Sequence, residues 1–223
     1  MYTYVEDKTF LKRARNFCSG LMRELEDELR EDGINSQFFM VGSGARNMVT
    51  QNEDGAIDFD YNLNILYCDD FNDCKVIKQK VMTAFNRVMR RHNLCDVNNS
   101  TSAITTKKMH FPDDPYIEFY MDICIVKLEF DGKWSRLIND KRHNTGYYWN
   151  IVPSSKKYMD KVKKIKSNDP WWWNQVREQY LDIKNHYLTR NDHDHPSFVC
   201  YIEAVNNVYN QMCQTQKKKQ RRR

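Results

Sequence analysis

A chain of 223 residues, 40% hydrophobic and 29% charged, has the composition of a folded globular protein, which excludes a largely disordered one. Its net charge of +5 is concentrated at the C-terminus, where KKKQRRR carries six basic residues (217–219 and 221–223) and leaves the rest of the chain at −1. A near-neutral body excludes a broad basic nucleic-acid-binding face. No apolar run approaches the ~20 residues of a membrane span, and the N-terminal MYTYVEDKTF lacks the layout of a signal peptide, so a soluble, cytoplasmic protein is expected.

The seven cysteines are odd in number and scattered, with no C-x2-C pair, and read as reduced thiols used as small apolar residues. In chain order, TFLKRARNFCSGLMRELEDELREDG predicts an amphipathic helix, with Phe10, Leu11, Ala14, Phe17, Leu21, Leu25 and Leu29 at helical spacing and Gly33 at its end. QFFMV is a short buried strand and GSGARNMV a turn opening a short helix. AIDFDYNLNILY alternates strictly and predicts a strand. CKVIKQKVMTAFNRVMRRH predicts a second helix. TSAITTKKMHF and YIEFYMDICIVKLEF predict strands, with Pro112 and Pro115 breaking the chain between them.

Beyond about residue 150 only helices are expected. PSSKKYMDKVKKIK has Ser154 or Ser155 as cap and Tyr158, Val162 and Ile165 on one stripe. NDPWWWNQVREQYLDIKNHYL has Asn168 or Asp169 as cap and Pro170 in its first turn. PSFVCYIEAVNNVYNQM is the last helix, followed by a basic tail that reads as a frayed, solvated end or, alternatively, as a phosphate-seeking arm for RNA or DNA. The expected fold class is α+β: a core over residues 1–150 with a mixed β-sheet flanked by helices, a helical subdomain over 151–216, and the tail from 217 to 223.

The residues that carry chemistry lie close together. Residues two apart share a strand face, so Ile57, Phe59, Tyr61, Leu63 and Ile65 point one way and Asp58, Asp60, Asn62 and Asn64 the other. Asp and Asn are poor strand residues, and adjacent like charges repel unless a cation sits between them. Carboxylates at i and i+2 suit Mg2+, a hard cation that takes oxygen ligands. Just before this strand, Gly42 and Ser43 form a turn whose backbone N–H groups and hydroxyl can hold a phosphate, with Gly44 for close approach and Arg46 to pair with phosphate oxygens. Later, Asp122 sits between Met121 and Ile123 in an apolar strand, a costly place for an unpaired acid. Glu118 is four residues earlier on the same face; Asp122 is preferred as the third carboxylate because its neighbours bury it more.

This order of strand, Gly-Ser turn, helix, Asp-x-Asp strand and later single-Asp strand resembles the nucleotidyltransferase superfamily typified by DNA polymerase beta. GSGARN is similar to the G-S-x-A-R-G turn of the small bacterial nucleotidyltransferases. The resemblance covers roughly residues 36–126. It implies Gly42, Ser43 and Arg46 as nucleotide-binding residues, and Asp58, Asp60 and Asp122 as catalytic, metal-binding acids. It further implies transfer of a nucleoside monophosphate from a nucleoside triphosphate, with ATP the expected one, to a hydroxyl acceptor. Pyrophosphate would be released, and two Mg2+ ions (or Mn2+) are expected as cofactors. Two departures stand out: Asn47 takes the place usually held by Gly, and the inserted TQNEDG has the position of a flap.

Acceptors in three classes compete: a small molecule such as an antibiotic, a nucleotide or RNA end, and a protein side chain. A nucleotide second-messenger synthase similar to the oligoadenylate synthetase branch is a further reading. A catalytically inactive nucleotide- or RNA-binding module is the alternative outside enzymes. Oligomeric state is not encoded in any motif. Of the remaining features, two of Trp171, Trp172 and Trp173 are expected in the core and one partly exposed. The lysines between Lys156 and Lys166 read as a solvated face, and Asp192, His193, Asp194 and His195 as a polar loop. TSAITTKK presents hydroxyls and Lys107 and Lys108 without an assigned role.

Overall fold

The computed structural model describes residues 1–140, 146–190, 192 and 196–221, with side chains described through Lys218. His193, Asp194 and His195 lie outside the described residues, as do Arg222 and Arg223. The elements in order are β1 (Tyr2–Tyr4), α1 (Lys8–Glu31), β2 (Asn35–Met40), α2 (Gly42–Arg46), β3 (Thr50–Asn52), β4 (Ile57–Tyr67), α3 (Cys74–Arg91) and β5 (Asn98–Asn99). There follow β6 (Ile104–Thr105), β7 (Met109–Phe111), β8 (Asp114–Leu128), β9 (Trp134–Asp140), β10 (Gly146–Val152), α4 (Lys156–Lys166), α5 (Pro170–Thr189) and α6 (Ser197–Arg221). The chain divides into two compact units, residues 4–153 and residues 1–3 with 154–223.

The larger unit is a mixed sheet in the order β10-β9-β8-β4-β2. Among the described residues of this sheet only β4 and β8 pair in parallel; β2 runs antiparallel to β4, and β9 to both β8 and β10. Strand β8 is long because its second edge is shared in turn by β7, β6 and β9. One sheet face carries Ile57, Phe59, Tyr61, Leu63 and Ile65 of β4 and Phe119, Met121, Ile123 and Ile125 of β8, all buried in one cluster with the apolar stripes of α1 and α3. Both helices begin on an aspartate that accepts a backbone N–H, Asp7 from Phe10 and Asp73 from Val76, so an otherwise orphaned donor is satisfied at each start. Phe119 is the centre of an aromatic group, with Phe111 at 5.1 Å, Phe10 at 6.0 Å, Phe17 at 6.2 Å and Phe59 at 6.3 Å between ring centroids.

The smaller unit packs α4, α5 and α6 together over Val162, Ile165, Val176, Tyr180, Cys200, Ala204 and Val208, all buried. Asp169 caps α5 by accepting from the Trp171 N–H, with Pro170 in the first turn. The backbone of Tyr2 exchanges two hydrogen bonds with the Asn185 side chain, which places the first residues in this unit.

Several elements differ from their sequence patterns. TSAITTKKMHF is no single strand; it yields only β6 and β7, because each stretch pairs with β8 for two or three residues before the chain turns. Pro115 does not interrupt: it lies inside β8, and Pro112 and Asp113 are the two residues linking the Phe111–Asp114 pair of a hairpin. The polar β9 escapes the pattern search. No member of the Trp triplet is buried: Trp171 is 52% exposed, while Val176 and Tyr180 supply the buried stripe of α5. Trp171 packs edge-on against Trp172 at 4.6 Å, and the Lys166 ammonium lies 4.1 Å from the Trp173 ring centroid. Helix α6 runs through the start of the basic tail as far as Arg221 instead of fraying, since Gln, Lys and Arg are good helix formers. The described cysteines are free thiols, with Cys18, Cys68, Cys74 and Cys200 buried. Replacing Phe119 with alanine removes the hub of the aromatic group; equilibrium urea unfolding is expected to show a loss of about 3–5 kcal/mol.

Candidate active site

The second sheet face is polar, and its layout follows from strand register. Parallel pairing sets Asp58 beside Tyr120, Asp60 beside Asp122 and Asn62 beside Cys124. Neighbouring strands are ~4.8 Å apart, so Asp60 and Asp122 are cross-strand neighbours and Asp58 is two residues along on the same face. All three are half-buried. Glu118 lies on this face as well, but its carboxylate is paired with the Lys108 ammonium at 2.8 Å.

The GSGAR turn closes over these acids. After β2, the Val41 N–H donates to the Asp60 carbonyl at 2.9 Å, which ties the turn to β4. Gly42 has φ +64°, a conformation that L side chains rarely adopt, and a Cβ there would stand 1.9 Å from Asp60 Oδ2. The glycine is therefore required twice, by backbone geometry and by the carboxylate pressed against it. Ser43 follows with its hydroxyl oxygen buried and unpartnered. Asn47 ends α2 in the left-handed region at φ 55°, and Arg15 of α1 donates to its side-chain oxygen at 2.8 Å. Asn tolerates this conformation better than most non-glycine residues. The insert TQNEDG forms β3 and a tight turn in which the Gly55 N–H donates to the Asn52 carbonyl.

Crowding the carboxylates changes their acidity. Burial, reinforced by the charges of Asp58 and Asp122, pushes Asp60 up to about 6 from 3.8, against the opposing pull of Arg46 and Arg136. Burial also raises Asp122, partly offset by the hydroxyl of Thr105, which donates to Asp122 Oδ1 at 2.5 Å. Among the described residues no group of three or more His, Cys, Asp or Glu is arranged to hold a metal ion. The chemistry of the donor set nevertheless fits a hard divalent cation: the ligating atoms are carboxylate oxygens, and their mutual repulsion is what such an ion would relieve.

Three features escape sequence reading. Thr105 is brought to Asp122 by the pairing of β6 with β8. Arg136 of β9 reaches this face because it pairs with Val126, which pairs with Asn64; its Nε and the Oδ1 of the buried Asn64 have no hydrogen-bond partner. Lys78 on α3, only 2% exposed, left a signal: it lies on the buried stripe of Cys74, Val81 and Phe85.

In metal-free buffer, the Asp60→Asn variant is expected to be more stable than the parent. A raised carboxylate pKa means that the folded state resists ionisation, so the penalty is absent below about pH 4, grows as pH rises toward 6 and is complete above it. Thermal melts of the two proteins should coincide near pH 4 and separate by neutral pH by roughly 3 kcal/mol in favour of the variant.

No family model matches the chain, and no curated protein does. Solved structures do. CdnC of E. coli MS115-1, solved with ATP, has 15% identity and a TM-score of 0.56, covering 90% of this chain and 61% of its own. The Elizabethkingia meningoseptica CdnE cyclic dinucleotide synthase, with GTP and Apcpp, has 14% identity and a TM-score of 0.56 over 86% of this chain and 69% of its own. The GTP-bound form of Vibrio cholerae DncV has 13% identity and a TM-score of 0.54 over 85% and 49%. The chain thus spans about half to two thirds of the length of these proteins. At such identities the likeness shows the fold alone: a nucleotidyltransferase-type mixed sheet flanked by helices, with a helical C-terminal part.

Proposed function

We propose that this chain is a nucleotidyltransferase that transfers a nucleoside monophosphate from a nucleoside triphosphate to a hydroxyl acceptor, and that the acceptor hydroxyl belongs to a nucleotide. The observation that carries the reading is the juxtaposition of Asp60 and Asp122 in cross-strand register beneath the Gly42–Ser43 turn. The acceptor class is supported by the similar structures, which hold ATP, GTP or a nucleotide analogue, and by the near-neutral charge of residues 1–216, which offers no track for a polyanion.

In the reaction, the acceptor oxygen attacks the α-phosphorus, a new P–O ester bond forms, the bond to the bridging oxygen breaks, and pyrophosphate leaves. Such transfers depend on alignment and charge neutralisation more than on covalent help. Gly42, the Ser43 hydroxyl and Arg46 would hold the β- and γ-phosphates. Asp122, whose pKa burial raises, would take the acceptor proton. Asp58, Asp60 and Asp122 would hold Mg2+ or Mn2+, which when bound neutralises charge on the attacking and leaving oxygens. Arg136 and Asn64 offer an unpaired donor and an unpaired acceptor on the same face to a polar ligand edge.

Incubation with α-labelled ATP and GTP and Mg2+, followed by chromatography, tests the proposal. Label is expected in a nucleotide product with the parent and not with Asp60→Ala, which should remain folded by circular dichroism. Label retained by Asp60→Ala would remove the acid from the reaction. Triphosphate binding without transfer by the parent would support a binding module instead.

A further inference from the structure

Behind Asp122 lies an ordered chain of polar groups that the proposed chemistry does not itself require. The Asp122 Oδ1 atom accepts from Thr105 Oγ1 at 2.5 Å. Thr105 Oγ1 lies 3.0 Å from Ser100 Oγ. The Lys78 ammonium donates to the Ser100 carbonyl at 2.6 Å. A hydroxyl has one proton to give. Because Thr105 spends its proton on the carboxylate, Ser100 must be the donor in the Ser–Thr contact. The two hydroxyl bonds are then oriented toward Asp122, Ser100 Oγ–H to Thr105 and Thr105 Oγ1–H to the carboxylate, while the buried ammonium of α3 anchors the Ser100 backbone through its carbonyl. Aligned hydrogen bonds of this kind polarise and reinforce one another.

The chain rests on a hairpin that is clamped from two other strands. The Asn139 N–H of β9 donates to the Thr101 carbonyl at 2.7 Å, and the Asn99 side chain donates to the Tyr147 hydroxyl of β10 at 3.0 Å. Lys78 is 2% exposed on a helix stripe that is otherwise apolar. Burying an ammonium is costly unless it is hydrogen-bonded, and a leucine or methionine would fill the same space without that cost. A merely structural hairpin could be closed without it.

We propose that Lys78, Ser100 and Thr105 are positioning residues that hold the Asp122 carboxylate in one rotamer, occupying Oδ1 and leaving Oδ2 for the metal and acceptor side of the site. The inference rests on the reading of Asp122 as the third acid of a nucleotidyltransferase site. Thr105 makes the only contact with the carboxylate among the three; Ser100 and Lys78 act through it. Partners behind a ligating group typically change metal affinity or activity by about ten- to a hundredfold when removed.

Two readouts on the full chain test this: Mn2+ binding by titration calorimetry in the absence of nucleotide, and transfer of label from α-labelled ATP and GTP. Thr105→Val keeps shape and removes the donor. It is expected to weaken Mn2+ binding and lower kcat by about tenfold or more each, while KM for the triphosphate stays within about threefold and the melting temperature is nearly unchanged. Thr105→Ser, which restores a hydroxyl, should recover most of both. Lys78→Met should shift both readouts in the same direction, and the Thr105→Val/Lys78→Met pair should be no worse than Thr105→Val alone, as members of one chain are not additive. Should Lys78→Met fail to fold, the Thr105 variants decide. Parental Mn2+ affinity and kcat in Thr105→Val would overturn the relay while Asp122→Asn still abolished both, leaving the function intact. A parent protein that neither binds Mn2+ nor transfers label would overturn the functional reading and the relay with it.

Discussion

The parallel pairing of β4 with β8 is the constraint on which the rest of this protein depends. It is the one parallel pairing on the main path of the sheet, and it joins two strands separated by a helix and three short strands, β5, β6 and β7. Its register puts the apolar residues of both strands on the face covered by α1 and α3. A slip of one residue would turn five buried side chains of β4 to the other face and bring the aspartates into the core. Core burial therefore enforces the juxtaposition of Asp60 and Asp122: the hydrophobic face fixes the register, and the register fixes the acids.

That juxtaposition has a cost, and neighbouring elements are shaped around it. Asp60 is half-buried, and Asp58 and Asp122 add like charges beside it, so it holds its proton to a higher pH than a free aspartate. The turn at Gly42 comes so close to this carboxylate that only a glycine fits. Ser43, Asn64 and Arg136 contribute buried polar atoms without partners in the protein. Unpaired polar groups and crowded charges lower stability, and a charged, hydrogen-bonding ligand on this face would relieve both.

The hairpin over Asn98–Thr105 adds a second layer of order. Its strands contain two residues each and cannot be stable alone. Contacts with α3, β8, β9 and β10 hold it, and through Thr105 it holds Asp122. One short segment thereby links the orientation of the Asp122 carboxylate to the packing of the opposite side of the sheet.

Periodicity made the long elements legible. Helices α1 and α3, strand β4 and the acid-bearing part of β8 each bury one face, and a one-sided face leaves a pattern in the residues themselves. The Gly-Ser turn and the alternating acids were likewise visible, because their chemistry is written in residue types at fixed spacing. Strand β9 was not: its inward positions are Ser135, Leu137 and Asn139, its outward ones Trp134, Arg136 and Ile138, and neither set is consistently apolar. Strands β5 and β6 are too short to show a period. By itself the sequence determined which residues could form a site and on which face of their own strand they lie, since those are local properties of backbone geometry. Only the tertiary structure decided that Asp60 stands opposite Asp122, that Thr105 and a buried Lys78 stand behind it, and that Arg136 shares its face, because strand pairing between distant segments depends on the packing of the whole core.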